Sequence, residues 1–136
     1  MQRLRALRDH LIENANLQHR DISCHVAGSD QDGLETETET GVALFEDTYN
    51  AVIYIEDVSE LEYDYIRLLL HEWFRENNAD EERFSVSGDF ISDVLSLVTI
   101  DLTLKETVHL VEDPEGKIDR EGNFYSMGEA PVPEGI

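Results

Sequence analysis

Residues 95–111 read LSLVTIDLTLKETVHLV, in which apolar and polar side chains alternate. Successive side chains of a β-strand point to opposite faces of a sheet. The pattern therefore predicts one long strand with a buried face and a hydrated face. The residues predicted to share the buried face are Val98, Ile100, Leu102 and Leu104.

The segment 59–77 carries the clearest helix signal in the chain. Ser59 and Glu62 have the spacing of a capping box, in which each side chain binds the other residue's backbone N–H. The helix that follows has more apolar residues than one sheet contact needs. It is either buried all round, or one flank of it is a subunit interface, which we favour. The interface candidates on this helix are Tyr65, Leu68 and Phe74.

The remaining segments complete an α+β fold. Residues 1–17 place Leu4, Leu7 and Leu11 on one helical stripe. Strands are predicted at 22–26, 34–46, 49–56 and 84–86, and turns at 27–33, 46–47, 87–89, 113–116 and 119–122. We expect one domain over 1–122, with an antiparallel or mixed β-sheet and about two helices packed on it. Residues 123–136, which include Pro131 and Pro133, are predicted to form an extended C-terminal tail.

Charge excludes one class of function. The 136 residues include 31 acidic and 10 basic ones, a formal net charge of -21. Direct binding to a nucleic-acid backbone needs clustered lysine and arginine, so we exclude it as the main function. The acidity is explained by solubility, by a salt-rich environment, or by a surface that DNA passes without adhering.

Two charged groups are candidate contact sites. Arg3, Arg5 and Arg8 form a basic cluster on the first helix, which is either a solvated face or a docking face for an acidic copy of the same chain. Glu35, Glu37 and Glu39 alternate with threonines, as on a strand whose acidic face meets water or a cavity. We interpret these three glutamates as candidates for lining a channel.

No pattern of catalytic or metal-binding residues emerges. The single cysteine, Cys24, is interpreted as a small buried hydrophobe, and its spacing to His19 and His25 matches no common zinc pattern. A calcium loop through Asp30 and Asp32 would put Gly28, which has no side-chain ligand, at its first position. We expect no enzyme activity, no metal and no cofactor. No apolar run approaches the roughly 18 residues that span a bilayer, so no membrane contact is expected.

The segment LFEDTYNAVIYIEDVSELEYDYIRLLLHEWFRENNAD, residues 44–80, resembles the tail completion protein R family of contractile-tailed phages. The resemblance is densest over 42–80, extends more loosely through 95–111, and elsewhere concerns placement only. Phe74 stands where the family pattern has leucine. The matching positions are Phe45, Glu46, Tyr49, Trp73, Arg75, Glu76 and Asn77.

This resemblance implies a tail terminator-like structural protein. Such proteins form a hexameric ring that caps the tail tube and presents a surface to the neck or head connector. The implied partners are further copies of the chain, the tail tube protein with or without the sheath, and the neck or connector protein, with DNA only passing through the channel. The implied location is the head-proximal end of the virion tail, and the host cytoplasm during assembly. A monomeric acidic protein-binding module or inhibitor is the alternative.

Overall fold

The computed structural model describes residues 1–17, 22–77, 82–90 and 96–128. Over these ranges the chain forms two α-helices and six β-strands. Their bounds are α1 Gln2–Asn14, β1 Ile22–Glu37, β2 Gly41–Val58, α2 Glu60–Asn77, β3 Arg83–Phe90, β4 Ser96–Glu112, β5 Ile118–Arg120 and β6 Asn123–Met127.

All six strands join one antiparallel sheet in the order β1-β2-β4-β6-β5, and β3 also pairs with β4. The strand β3 pairs with the first half of β4, from Ser96 to Thr103. The strand β6 pairs with the last three residues of β4, from Leu110 to Glu112. The predicted α+β class with an antiparallel sheet is confirmed, as is the long strand predicted from alternation.

The helices and one face of the sheet enclose the hydrophobic core. The helix residues Leu7, Leu11, Ile66 and Leu70 are completely or almost completely buried. The core includes β2 from Tyr49 to Val58 and β4 from Val98 to Leu104. Trp73 and Leu70 are buried in the same core as Ile53 and Ile55.

The capping box begins α2 as predicted. The Glu62 backbone N–H donates to the Ser59 hydroxyl oxygen at 3.2 Å, and the Ser59 N–H donates to the Glu62 carboxylate at 3.0 Å. Two backbone donors that a helix start leaves without partners are satisfied in this way.

Three predicted turns are wrong, because each lies inside a strand. Residues 27–33 belong to β1, residues 46–47 to β2 and residues 87–89 to β3. Two register shifts, between Val26 and Gly28 and between Gly33 and Thr36, let the edge strand β1 carry its glycines while it stays paired with β2.

The strand predicted over 34–46 contains a turn. It is interrupted by the β1–β2 turn, where the Thr38 N–H donates to the Gly41 carbonyl at 2.9 Å. The turns at 113–116 and 119–122 are present.

The segment predicted as an extended tail begins with a strand. Asn123–Met127 forms β6, which pairs with both β4 and β5. Its backbone groups are therefore satisfied by the sheet and need no partner protein. The boundary predicted at residue 122 falls between two paired strands, and residues 129–136 lie outside the described residues.

Candidate assembly surfaces

Arg3 points into the molecule and not towards a neighbouring subunit. Its guanidinium group forms an ion pair with Glu82, with Nε donating to Oε2 at 3.0 Å, and lies 4.8 Å from the centre of the Trp73 ring. The Arg3 side chain is only 11% exposed, and that of Glu82 only 2%. A buried charge persists where it is paired, so this arginine is a structural residue. The sequence interpretation of Arg3 as an interface residue is corrected accordingly.

A second buried carboxylate, Glu106, connects α1 to β4. The Arg3 backbone N–H donates to Glu106 Oε1 at 2.6 Å, and the carboxylate therefore lies at the positive end of the helix dipole. The Lys105 N–H donates to Glu82 at 3.0 Å. Burial first, and then the Glu106 carboxylate, raise the pKa of Tyr49 well above its ordinary range. This network fixes the start of α1 on the sheet.

Arg5 and Arg8 remain on the surface and border a groove between α1 and β1. Arg8 pairs with its exposed neighbour Asp9 at 3.1 Å, whereas Arg5 makes no ion pair with any described residue. The groove has a volume of about 260 Å³. We call it the α1–β1 groove, and its lining residues are Met1, Leu4, Arg5, Arg8, Cys24 and Val26.

An apolar stripe runs along the solvent side of α2. Leu61 is 69% exposed, Tyr65 51% and Leu68 63%. Their spacing of four and three residues places them on one helix face. We call these three residues the α2 stripe. Exposure of Tyr65 and Leu68 agrees with the sequence interpretation, which missed Leu61.

Phe74, the third apolar candidate on α2, is partly buried at the margin of the core. Its ring centre lies 5.0 Å from that of Trp73 and 4.8 Å from that of Phe84 in β3. The aromatic ring is occupied by contacts within the chain and is not part of the α2 stripe. This placement corrects its assignment as an interface residue.

Acidic side chains flank the α2 stripe. Asp64 pairs with Arg67, and Glu72 pairs with Arg75 at 2.6 Å. The bond from Arg75 lowers the pKa of the Glu72 carboxyl. Both pairs are solvent-exposed, and surface pairs of this kind contribute little to stability. In total, α2 carries five acidic residues and two arginines.

The three candidate channel glutamates are exposed but do not share one strand face. Glu35 has φ 47° at the register shift of β1, and Glu39 lies in the β1–β2 turn. Only Glu37 is regularly paired, opposite Val42. The Arg120 guanidinium reaches the Glu35 carboxylate at 3.5 Å, which joins β5 to β1 across the curled sheet. The glutamates therefore cluster around the end of the β1–β2 hairpin.

The described residues offer little for other chemistry. Burial raises the pKa of the half-buried Cys24 thiol. Among the described residues, no three His, Cys, Asp or Glu side chains are grouped so that they could hold a metal ion. His19 lies outside the described residues, and Asp30 and Asp32 are exposed on β1. Neither of the two described helices is long and apolar enough to cross a membrane.

The chain is an α+β domain whose prominent surface features are the apolar stripe on α2 and exposed charged groups. The family model for P2 phage tail completion protein R (GpR) matches residues 1–123 of the 136. The chain therefore belongs to this family of phage tail completion proteins. No curated protein and no solved structure gives a significant match.

Family membership confirms the resemblance seen around residues 44–80 and extends it over the first helix. The family is structural, which gives the chain a structural role in the phage tail and a location in the virion tail. It also implies contact with other tail components. The exposed surfaces of α1, α2 and the β1–β2 hairpin are candidates for these contacts.

Proposed function

We propose that this chain is a tail terminator subunit, which forms a hexameric ring on the head-proximal end of the tail tube. The ring caps the finished tube and joins it to the neck or head connector. The partners in this proposal are identical subunits, the tail tube protein with or without the sheath, and the neck or connector protein. Membership in the tail completion family is the observation that carries the proposal.

A ring of such acidic subunits needs local attraction to offset repulsion. Each copy carries a formal net charge of -21. Burial of the exposed Leu61, Tyr65 and Leu68 would supply attraction that does not depend on charge. Arg5 and Arg8 can add charge complementarity where they meet an acidic surface. A contact between different surfaces of identical subunits is head-to-tail and can close into a ring.

The end of the β1–β2 hairpin is the surface that we assign to the channel. Glu35, Glu37 and Glu39 are all exposed there. Negative charge along a channel repels the phosphate backbone, so DNA passes without adhering. In this arrangement DNA moves through the ring and is not bound by it.

A reconstruction of the head-proximal end of purified tails tests the proposal. The expected result is a ring of six copies that contacts the last layer of the tube. Tails assembled without this chain are the control, and they should lack that ring. Absence of the chain from normal tails, or its presence only at the baseplate, would overturn the proposal and would favour the monomeric binding module.

A further inference from the structure

We propose that the α2 stripe of one copy binds in the α1–β1 groove of the next copy. The inference rests on the proposed ring and identifies the two surfaces that form its repeating contact. It commits to a second copy of this chain as the occupant of the groove.

The α1–β1 groove offers an apolar floor with a cationic rim. Leu4, Cys24 and Val26 supply the apolar lining, and Val26 is 45% exposed. Arg5 and Arg8 border the same groove. The helix α1 has three arginines against two acidic residues, which makes it unusual in so acidic a chain.

The α2 stripe has the complementary chemistry. Leu61, Tyr65 and Leu68 are apolar, and acidic residues such as Asp64 and Glu72 flank them. An apolar stripe with an acidic rim therefore meets an apolar groove with a cationic rim. Complementary potentials of this kind fix which surfaces pair and in which orientation.

The two surfaces also agree in length. From Leu61 to Leu68 the helix rises about 10 Å, at roughly 1.5 Å per residue. The groove follows α1 from its N-cap Met1 to Arg8, which is again about 10 Å by the same rise per residue. The stripe and the groove therefore match in length.

Charge decides against the symmetric alternatives. A contact between two α2 stripes would bring together two helices that each carry five acidic residues against two arginines. A contact between two grooves would bring two pairs of arginines together. Like charges placed opposite each other across an interface cost free energy, so the mixed contact is favoured. The mixed contact is heterologous, as a ring requires.

Cys24 provides a native probe for this contact, because it lines the groove and is the only cysteine of the chain. A Leu68→Cys variant treated with a short bismaleimide should give a ladder of cross-linked species. The ladder should disappear in the Leu68→Cys, Cys24→Ser double variant. Arg67→Cys is the matched control, because Arg67 is exposed on α2 but lies over the Tyr63 ring, outside the stripe.

Each outcome of the cross-linking decides the question. A ladder that depends on both Cys24 and the stripe cysteine supports the contact. The reagent also traps short-lived encounters, so even a weak contact should give this ladder. Cross-links that persist after Cys24→Ser show an α2–α2 contact and overturn the inference. Equal cross-linking by Arg67→Cys and Leu68→Cys, or no cross-linking at all, overturns it too.

Mixing two assembly-blocked variants gives an independent test. Arg5→Glu with Arg8→Glu blocks the groove, and Tyr65→Glu with Leu68→Glu blocks the stripe, at exposed positions where folding should be preserved. Each variant alone should be monomeric by sedimentation velocity, and their equimolar mixture should form a dimer and nothing larger. Failure to dimerise, or rings from either variant alone, contradicts the contact.

A tail reconstruction that shows the ring, while both the cross-linking and the mixing tests fail, leaves the proposed function intact and removes only this inference.

Discussion

Trp73 connects several parts of the fold through one side chain. It is 2% exposed, its ring meets that of Phe74 edge-on, and the Arg3 guanidinium lies over it. Trp73→Ala should lower the free energy of unfolding by about 3–5 kcal/mol, because a large buried ring leaves a cavity. Urea unfolding followed by circular dichroism measures the loss. Leu61→Ala, at an exposed position, should change stability by less than about 0.5 kcal/mol. A loss below about 1 kcal/mol for Trp73→Ala would show that the ring is not a core residue.

Tyr49 gives the fold a predictable response to alkaline pH. Its pKa is raised, so the folded state holds the phenolic proton more tightly than the unfolded chain, whose ordinary value is 10.0. The corresponding contribution to stability is fully present below that value and is lost as pH rises towards the folded pKa. Tyr49→Phe should therefore lose less unfolding free energy than the wild type between about pH 8 and pH 11. Urea unfolding at both pH values measures the difference, and equal losses in the two proteins would contradict it.

At the scale of elements, the Arg3–Glu82 ion pair fastens α1 to the residue that precedes β3. Arg3→Ala should cost about 3–5 kcal/mol of unfolding free energy, because it leaves the Glu82 carboxylate buried and unpaired by arginine. Arg8→Ala is the control on the same helix. Its pair with Asp9 is exposed, and such pairs contribute about 0–1 kcal/mol. Equal effects of the two substitutions would show that the Arg3 pair is not buried in solution.

Local patterns predicted the elements whose causes are local. The capping box spans only four residues, from Ser59 to Glu62, and it marks the start of α2. The alternation over 95–111 predicted β4. The turns predicted at 46–47 and 87–89 are wrong because pairing with another strand overrides local turn propensity. Asp47 is opposite Glu106, and Gly88 is opposite Val98. Neither partner is visible from the residues around the turn.

The candidate surfaces divide in the same way. Helical periodicity correctly indicated that α2 has more apolar residues than the core needs, and Tyr65 and Leu68 are exposed. Arg3 and Phe74 were misplaced because their partners, Glu82 and Phe84, follow in later segments of the chain. A sequence pattern shows which face of a helix a residue occupies. It does not show what another element places against that face.

For the whole molecule, the uneven distribution of charge matters more than its total. Arg5 and Arg8 present positive charge at one side of the helical layer, while acidic side chains flank the α2 stripe and surround the β1–β2 turn. In the proposed ring, neighbouring copies would therefore repel at long range and attract only in a particular orientation. Repulsion of this kind disfavours irregular aggregates and permits an ordered ring.

The balance between repulsion and contact predicts how self-assembly depends on salt. The field of a chain with net charge -21 extends about 30 Å at 0.01 M ionic strength and about 3 Å at 1 M. Long-range repulsion is therefore screened first, whereas burial of Leu61, Tyr65 and Leu68 is not weakened by screening. Oligomers of the purified chain should become more abundant as salt rises at constant protein concentration, which sedimentation velocity measures. The Tyr65→Glu, Leu68→Glu variant should remain monomeric throughout the same series. Assembly that declines steadily with added salt would mean that charge attraction dominates the contact, and the assignment of the α2 stripe as its main source of attraction would be wrong.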